Sequence, residues 1–198
     1  MTANSITLAA LVAVSYLLGS IPTGLLLGKM YGVDVREAGS GNIGATNLYR
    51  TVGRKIGLIT LAGDCFKGLI PVFVAQYFGL SQEVAALAGL AAFCGHVFSI
   101  FLKFKGGKGV ATALGVFLAI SPASVGIAFV LFLLLVFKWR YVSLGSISGA
   151  AVVPFVLYFL GKSEILVFVA SIISITIILR HHENIRRILS GTESRFKC

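Results

Sequence analysis

Hydrophobic positions along this chain gather in long runs, and the polar positions collect in a few stretches between them. Crossing about 30 Å of hydrocarbon takes roughly 20 residues of helix. By that ruler the runs at 5–29, 56–78, 82–102, 141–160 and 164–180 predict membrane-spanning helices. The run 109–137 is too long for one span, and Ser121-Pro122 divides it, because proline lacks an N–H and clashes with the preceding turn. Its halves, 109–120 and 123–137, are two short segments. The pattern therefore predicts an all-α integral membrane protein with seven transmembrane segments in a single domain, 1–198.

Composition and charge sharpen this. The chain of 198 residues is 57% hydrophobic and only 12% charged, against about 25% charged in soluble domains, so a water-soluble globule is excluded. There are 17 Lys and Arg against 7 Asp and Glu, a net charge of +10. Lys and Arg collect in cytoplasmic loops. With seven segments, 15 of the 17 cations fall on one side: Lys29, Arg36, Arg50, Arg54, Lys55, Lys103, Lys105, Lys108, Lys138, Arg140, Arg180, Arg186, Arg187, Arg195 and Lys197. Merging 109–137 into one helix would move Lys138, Arg140 and the basic tail across and spoil the asymmetry. The amino terminus is thus expected outside and the carboxyl terminus in the cytoplasm. The start, Met1 to Ser5, lacks the basic region of a cleaved signal peptide, so the first run reads as a span. Cys65, Cys94 and Cys198 are an odd set without motif spacing and predict neither a disulfide framework nor a zinc site.

Nearly all the polar sequence lies on the cytoplasmic side, in a loop 30–55, a loop 103–108 and a tail 181–198. The first contains Gly39-x-Gly41-x-x-Gly44, formally a dinucleotide fingerprint with Asp64 twenty residues on. Both flanks are membrane spans rather than strand and helix, so that match is a decoy. What remains is the mechanics: glycines let backbone N–H groups approach an anion, and Ser40, Asn42, Thr46 and Asn47 add donors beside Arg50. A solvated turn is the plainer alternative.

The second piece, Lys103-Phe-Lys-Gly-Gly-Lys-Gly109, is not a phosphate loop of the Walker type, which needs glycine at Leu102 and a hydroxyl at Gly109. A Gly106-Gly107-Lys108-Gly109 turn at a helix start nevertheless brings N–H groups, the positive helix end and an ammonium group together. Anchoring by snorkelling is the alternative for Lys103 and Lys105. In the third piece, His181 and Asn184 are helix neighbours and Glu183 and Arg187 an i,i+4 pair, while an amphipathic surface helix is the alternative for Arg186. Gly24-x3-Gly28, Gly53-x3-Gly57 and Gly145-x3-Gly149 predict helix packing. Asp64 and Lys67 predict a mutual ion pair, and His96 a hydrogen-bonded interior histidine. The three polar pieces together suggest one anion site at the boundary between membrane and cytosol.

Gly19-Ser-Ile-Pro22 with Ser40-Gly-Asn-Ile-Gly-Ala-Thr-Asn47 and Arg50, then Phe104-Lys-Gly-Gly-Lys-Gly109, then His181-x-x-Asn184-x-x-Arg187-x3-Gly191-x-Glu193, closely resemble the bacterial acyl-phosphate:glycerol-3-phosphate acyltransferases of the PlsY type. The resemblance covers essentially the whole chain. It implies a multi-pass enzyme of the bacterial inner membrane with a cytoplasmic active site and no metal, nucleotide or nucleic acid. Acyl phosphate drawn from the bilayer and glycerol 3-phosphate would be its substrates, lysophosphatidic acid its product, membrane lipids its surroundings, and a monomer its state. It further implies that Ser40 and Arg50 bind acyl phosphate, that Lys108 and the Gly106–Gly109 turn hold glycerol 3-phosphate, and that His181 and Asn184 make polar contacts. Gly41, Asn42, Gly44, Thr46 and Asn47 would complete the phosphate-binding backbone, and Glu193 would be structural. Either His181 or a substrate phosphate can take the proton, and the latter is expected because the motifs offer no carboxylate except Glu183 and Glu193.

Two rival classes fit the pattern less well. A soluble-type glycerolipid acyltransferase needs His-x4-Asp, but Phe101, Arg186 and Arg187 follow His96, His181 and His182 at that spacing. A small organic-anion or phosphate transporter needs polar residues on a path outward, and the outer connections at 79–82, 121–122 and 161–163 are nearly featureless.

Overall fold

A computed structural model describes residues 5–196. The first four residues of the start, Lys197 and Cys198 lie outside the described residues. Among those described there is no strand. The helices are α1 Ser5–Ser20, α2 Thr23–Met30, α3 Ala45–Thr51, α4 Arg54–Tyr77, α5 Gln82–Val97, α6 Val110–Ile120, α7 Pro122–Trp139, α8 Val142–Phe159, α9 Glu164–Arg180 and α10 His182–Leu189, with a 3-10 turn at Ile100–Leu102. Five stretches are long and apolar enough to cross a membrane: Ser5–Met30, Arg54–Tyr77, Gln82–Leu102, Pro122–Trp139 and Val142–Phe159. The helix α9 reaches that standard only with α10, across a 54° bend. The 11 residues of α6 extend about 16 Å, half a bilayer core.

The expected bounds shift at several places. The first run breaks between α1 and α2 at Ile21-Pro22, where proline cannot donate to the turn before it. The expected break at Ser121-Pro122 holds. Ser121 caps α7, its side chain accepting from the Ser124 amide, and Pro122 occupies the first turn, where its missing N–H costs nothing. The loop 30–55 is not irregular throughout, because α3 lies within it.

The chain divides into two compact units, Met1–Ile120 and Ser121–Cys198. In the first, α5 packs against α1 and α4, and α4 also against α6. These helices touch backbone to backbone. A Cβ on Gly19 would collide with the Ala92 carbonyl, one on Gly95 with that of Tyr16, and one on Gly115 with that of Cys65. The helix packing expected of Gly57 and Gly145 holds, against Tyr49 and Phe132, whereas Gly24 and Gly28 lie closest to Ile43 and Val35 of the polar loop rather than to another helix. Gly149 is looser, with the Ala128 carbonyl 3.3 Å from where its Cβ would stand. Gly53 differs: it precedes α4, has nothing near it and adopts φ of 132°, so it makes a turn rather than a contact.

Beneath the polar loop sits a small apolar core. Val35, Ile43, Leu48, Ile56 and Leu102 are buried together, backed by Leu25, Leu27, Val33 and Val52. Asn47 closes the loop over it. Its Nδ2 donates to the carbonyls of Val35 and Ala38, both at 3.0 Å, and its Oδ1 accepts from the Ser40 amide at 2.9 Å.

In the second unit α8 packs against α7 and α9. Past α10 the chain turns at Gly191 and brings Glu193 back to Ser143, Asn184 and Arg187. Oε1 accepts from Ser143 Oγ at 2.6 Å and Asn184 Nδ2 at 2.7 Å, and Oε2 accepts from Arg187 Nε at 2.7 Å. The Phe196 amide then donates to the Arg140 carbonyl at 2.7 Å. The expected Glu183–Arg187 pair is present but longer, at 3.8 Å, with Glu183 exposed, so Glu193 is the stronger partner.

Burial pushes the Glu193 carboxyl up, but the bonds from Ser143, Asn184 and Arg187 and the guanidinium charge outweigh it and hold the group below its ordinary 4.5. A depressed carboxylate stabilises the fold above its unfolded pKa and loses that contribution as pH falls through the folded value. Thermal stability in detergent should therefore drop as pH is lowered below about 4.5. Glu193→Gln should flatten that drop and cost about 1–3 kcal/mol at neutral pH; an unchanged acid profile would remove Glu193 as its source. A second expectation concerns the α4–α6 contact. Gly115→Ala should lower stability by about 1–3 kcal/mol through overpacking, whereas Gly126→Ala, with open space around it, should be neutral or stabilising.

Candidate active site

The structure places the candidate residues on both units. Ser40, Arg50 and Lys108 belong to the first, His181 and Asn184 to the second. Within the first unit the two cationic loops are joined directly, because Arg36 Nη2 donates to the Lys105 carbonyl at 3.0 Å. In the sequence Arg36 counts only as a cation, and a bridge of this kind has no spacing signature.

Ser40 stands exposed between Gly39 and Gly41, with φ of 62° and 68°. Those left-handed positions suit glycine, and they turn the chain tightly around the serine. Asn42, Gly44 and Thr46 are half-buried, and Arg50 is exposed in the last turn of α3. Asn47 has a different task from the one expected. It is 2% exposed and its carboxamide is committed to three backbone bonds of its own loop, so reaching a substrate phosphate would cost those bonds.

The Gly-rich turn corrects the expectation in the same way. The Gly106 amide donates to the Val97 carbonyl and the Gly107 amide to that of His96, both at 3.1 Å. These two N–H groups are committed to the end of α5 and are not available to cradle an anion. The glycines are required for another reason: a Cβ on Gly106 would strike the His96 carbonyl, and one on Gly107 the His96 ring. Gly109 adopts φ of 83° with its Cα against the Phe93 ring. Lys108, half-buried, lies between Gly107 and Gly109, just before the start of α6. The first amides of a helix have no partner within it and favour an anion there.

In the second unit His181 lies at the bend between α9 and α10, 4% exposed. Its Nδ1 is 2.7 Å from the Ile177 carbonyl. That contact requires an N–H on Nδ1, so the neutral ring carries its lone pair on Nε2. Asn184 is 7% exposed. Its bond to Glu193 fixes which way the side chain points, so Glu193 is structural as expected.

Away from these loops, Asp64 and Lys67 form the expected ion pair, Nζ to Oδ1 at 2.8 Å. His96 is buried beside it, Nδ1 3.7 Å from the same oxygen. Among the described residues no group of three His, Cys, Asp or Glu is placed to hold a metal ion.

A family description, glycerol-3-phosphate acyltransferase, matches residues 9–191. A protein of that name from Trichlorobacter lovleyi is 62% identical over 187 residues, covering 94% of this chain and 96% of the relative. Another from Geobacter sulfurreducens is 57% identical over 188 residues, covering 95% and 97%. A crystal structure of PlsY, an integral membrane glycerol 3-phosphate acyltransferase, in its glycerol 3-phosphate form matches with a TM-score of 0.92 at 44% identity and 96% of each chain. The lysophosphatidic acid form matches with 0.89 at 43%, over 96% of this chain and 95% of the other. This chain is an integral membrane protein and belongs to the glycerol-3-phosphate acyltransferase family.

Proposed function

We propose that the protein transfers a fatty acyl group from acyl phosphate to the sn-1 hydroxyl of glycerol 3-phosphate, forming lysophosphatidic acid and inorganic phosphate. The observation that carries this reading is the pair of PlsY forms, one with glycerol 3-phosphate and one with lysophosphatidic acid, which are the acceptor and acylated product of one reaction. The hydroxyl oxygen bonds to the acyl carbon, the bond from that carbon to the phosphate oxygen breaks, and the electron pair leaves with phosphate. Acyl phosphate is a mixed anhydride with a good leaving group, so a strong general acid is dispensable.

Both substrates carry phosphate, and the cationic loops suit two such groups. Arg50 and Ser40 would hold acyl phosphate, with Gly41, Asn42, Gly44 and Thr46 shaping that loop. Lys108 at the start of α6 would hold glycerol 3-phosphate, and the committed amides of Gly106 and Gly107 would fix where Lys108 stands. His181 and Asn184 would contribute further polar contacts to substrate. Bringing hydroxyl and acyl carbon into register can supply about 7–11 kcal/mol of the barrier. The hydroxyl proton passes to a substrate phosphate. No metal or nucleotide enters these steps, and one chain suffices.

The positive-inside pattern supports seven segments, with the amino terminus outside and the three polar pieces at the cytoplasmic face of a bacterial inner membrane. Acyl phosphate then enters from the lipid around it. A tag at residue 1 should be accessible only from outside; a cytoplasmic tag overturns this topology.

Purified protein given palmitoyl phosphate and labelled glycerol 3-phosphate should yield a labelled lipid. No such lipid, with phosphate counterflow in liposomes instead, would favour the transporter class. His181→Asn should lose less than about tenfold in turnover and keep its pH dependence, since a general base contributes about 10²–10⁴-fold. A larger loss of turnover at unchanged substrate affinity, with the pH dependence gone, would make His181 the base.

A further inference from the structure

We infer that the buried Asp64–Lys67 pair, acting through His96, positions the Gly106–Gly109 turn and thereby sets the affinity for glycerol 3-phosphate. The inference rests on the function proposed above, and it concerns three side chains that lie outside all three polar segments.

Charged side chains in apolar surroundings are costly and are retained for a reason. Asp64 and Lys67 are 2% and 5% exposed within α4. Lys67 Nζ contacts Asp64 Oδ1 at 2.8 Å and also donates to the Ile21 carbonyl at 2.9 Å. That carbonyl lies at the break between α1 and α2, where Pro22 supplies no N–H. The same Asp64 oxygen, Oδ1, lies 3.7 Å from His96 Nδ1, a charge contact longer than a hydrogen bond. The opposite edge of the imidazole, at Nε2, lies against the Cα of Gly107. The His96 carbonyl meanwhile accepts from the Gly107 amide at 3.1 Å. Side chain and backbone of one residue therefore both bear on the position preceding Lys108. The pair spans from the α1–α2 break, through α4 and α5, to the turn.

A pair that served only helix packing would be replaceable. Apolar residues of similar volume commonly substitute for a buried ion pair without loss of stability. A positioning pair would not be replaceable in function even where the fold survives.

The test uses the full-length protein in detergent, with Asp64→Leu/Lys67→Met as a double variant, His96→Gln, and the triple variant. The double variant should keep its thermal midpoint, while KM for glycerol 3-phosphate rises about tenfold or more and KM for palmitoyl phosphate stays unchanged. His96→Gln should show the same split, and the triple variant should be no worse than His96→Gln alone, because the effects share one route. An unchanged KM for glycerol 3-phosphate in a folded double variant overturns the inference, as do effects that multiply in the triple. If the double variant does not fold, His96→Gln decides by the same split, and equal changes in both KM values overturn the inference. Trypsin cleavage at Lys105 and Lys108 gives a reading without substrate. It should quicken in the variants, and an unchanged rate also counts against the inference. Wild-type protein that makes no lipid from these substrates would refute the proposed function instead, leaving positioning to the cleavage rates.

Discussion

At the carboxyl end of α5 the last carbonyls have no partner within the helix, and at the edge of a bilayer little water is available to supply one. The arrangement of the first unit depends on how this is met. Gly106 and Gly107 donate to Val97 and His96, and the Tyr16 hydroxyl donates to Phe98 at 2.7 Å. One set of bonds thus caps α5, draws α1 against it and lays the cationic turn across its end. Only glycine allows that approach, since any Cβ at 106 or 107 meets His96. Gly106 and Gly107 let the loop lie against the end of α5.

The same arrangement recurs at the other polar segments. Asn47 commits its carboxamide to its own loop, leaving Ser40 at the surface, and Glu193 gathers Ser143, Asn184 and Arg187 while His181 stands at the bend. Asn47 fixes backbone and Glu193 fixes side chains, each beside a residue that the proposed chemistry uses. The proposed acyl transfer between two phosphate-bearing substrates needs little help from a strong acid or base, and it depends heavily on how the hydroxyl and the acyl carbon are oriented. A site in which the loops are already held undergoes little reorganisation when substrates arrive.

The helices themselves were legible, because uninterrupted apolar runs leave few readings, and Pro122 marked a real boundary. Pro22 broke the first run as well, which its length concealed. The helix α3 was not legible, since its seven residues sit among glycines and polar side chains and only the buried Leu48 discloses a packed face. The identities of the site residues were visible as motifs, but the partners of their backbone amides were not. A glycine needed for close approach and a glycine needed to bind an anion look alike in sequence, and only the bonds at Val97 and His96 separate them. The Asp64–Lys67 pair was legible from its one-turn spacing, whereas its link to His96 depends on how α4 and α5 pack.

Amide hydrogen exchange at Gly106 and Gly107 in the wild-type protein, with and without glycerol 3-phosphate, tests the held turn most directly. Both amides should be protected without ligand and change little when it binds, because their partners are the carbonyls of Val97 and His96. Free exchange without ligand, with protection only on adding glycerol 3-phosphate, would mean that the phosphate organises the turn and would contradict the account.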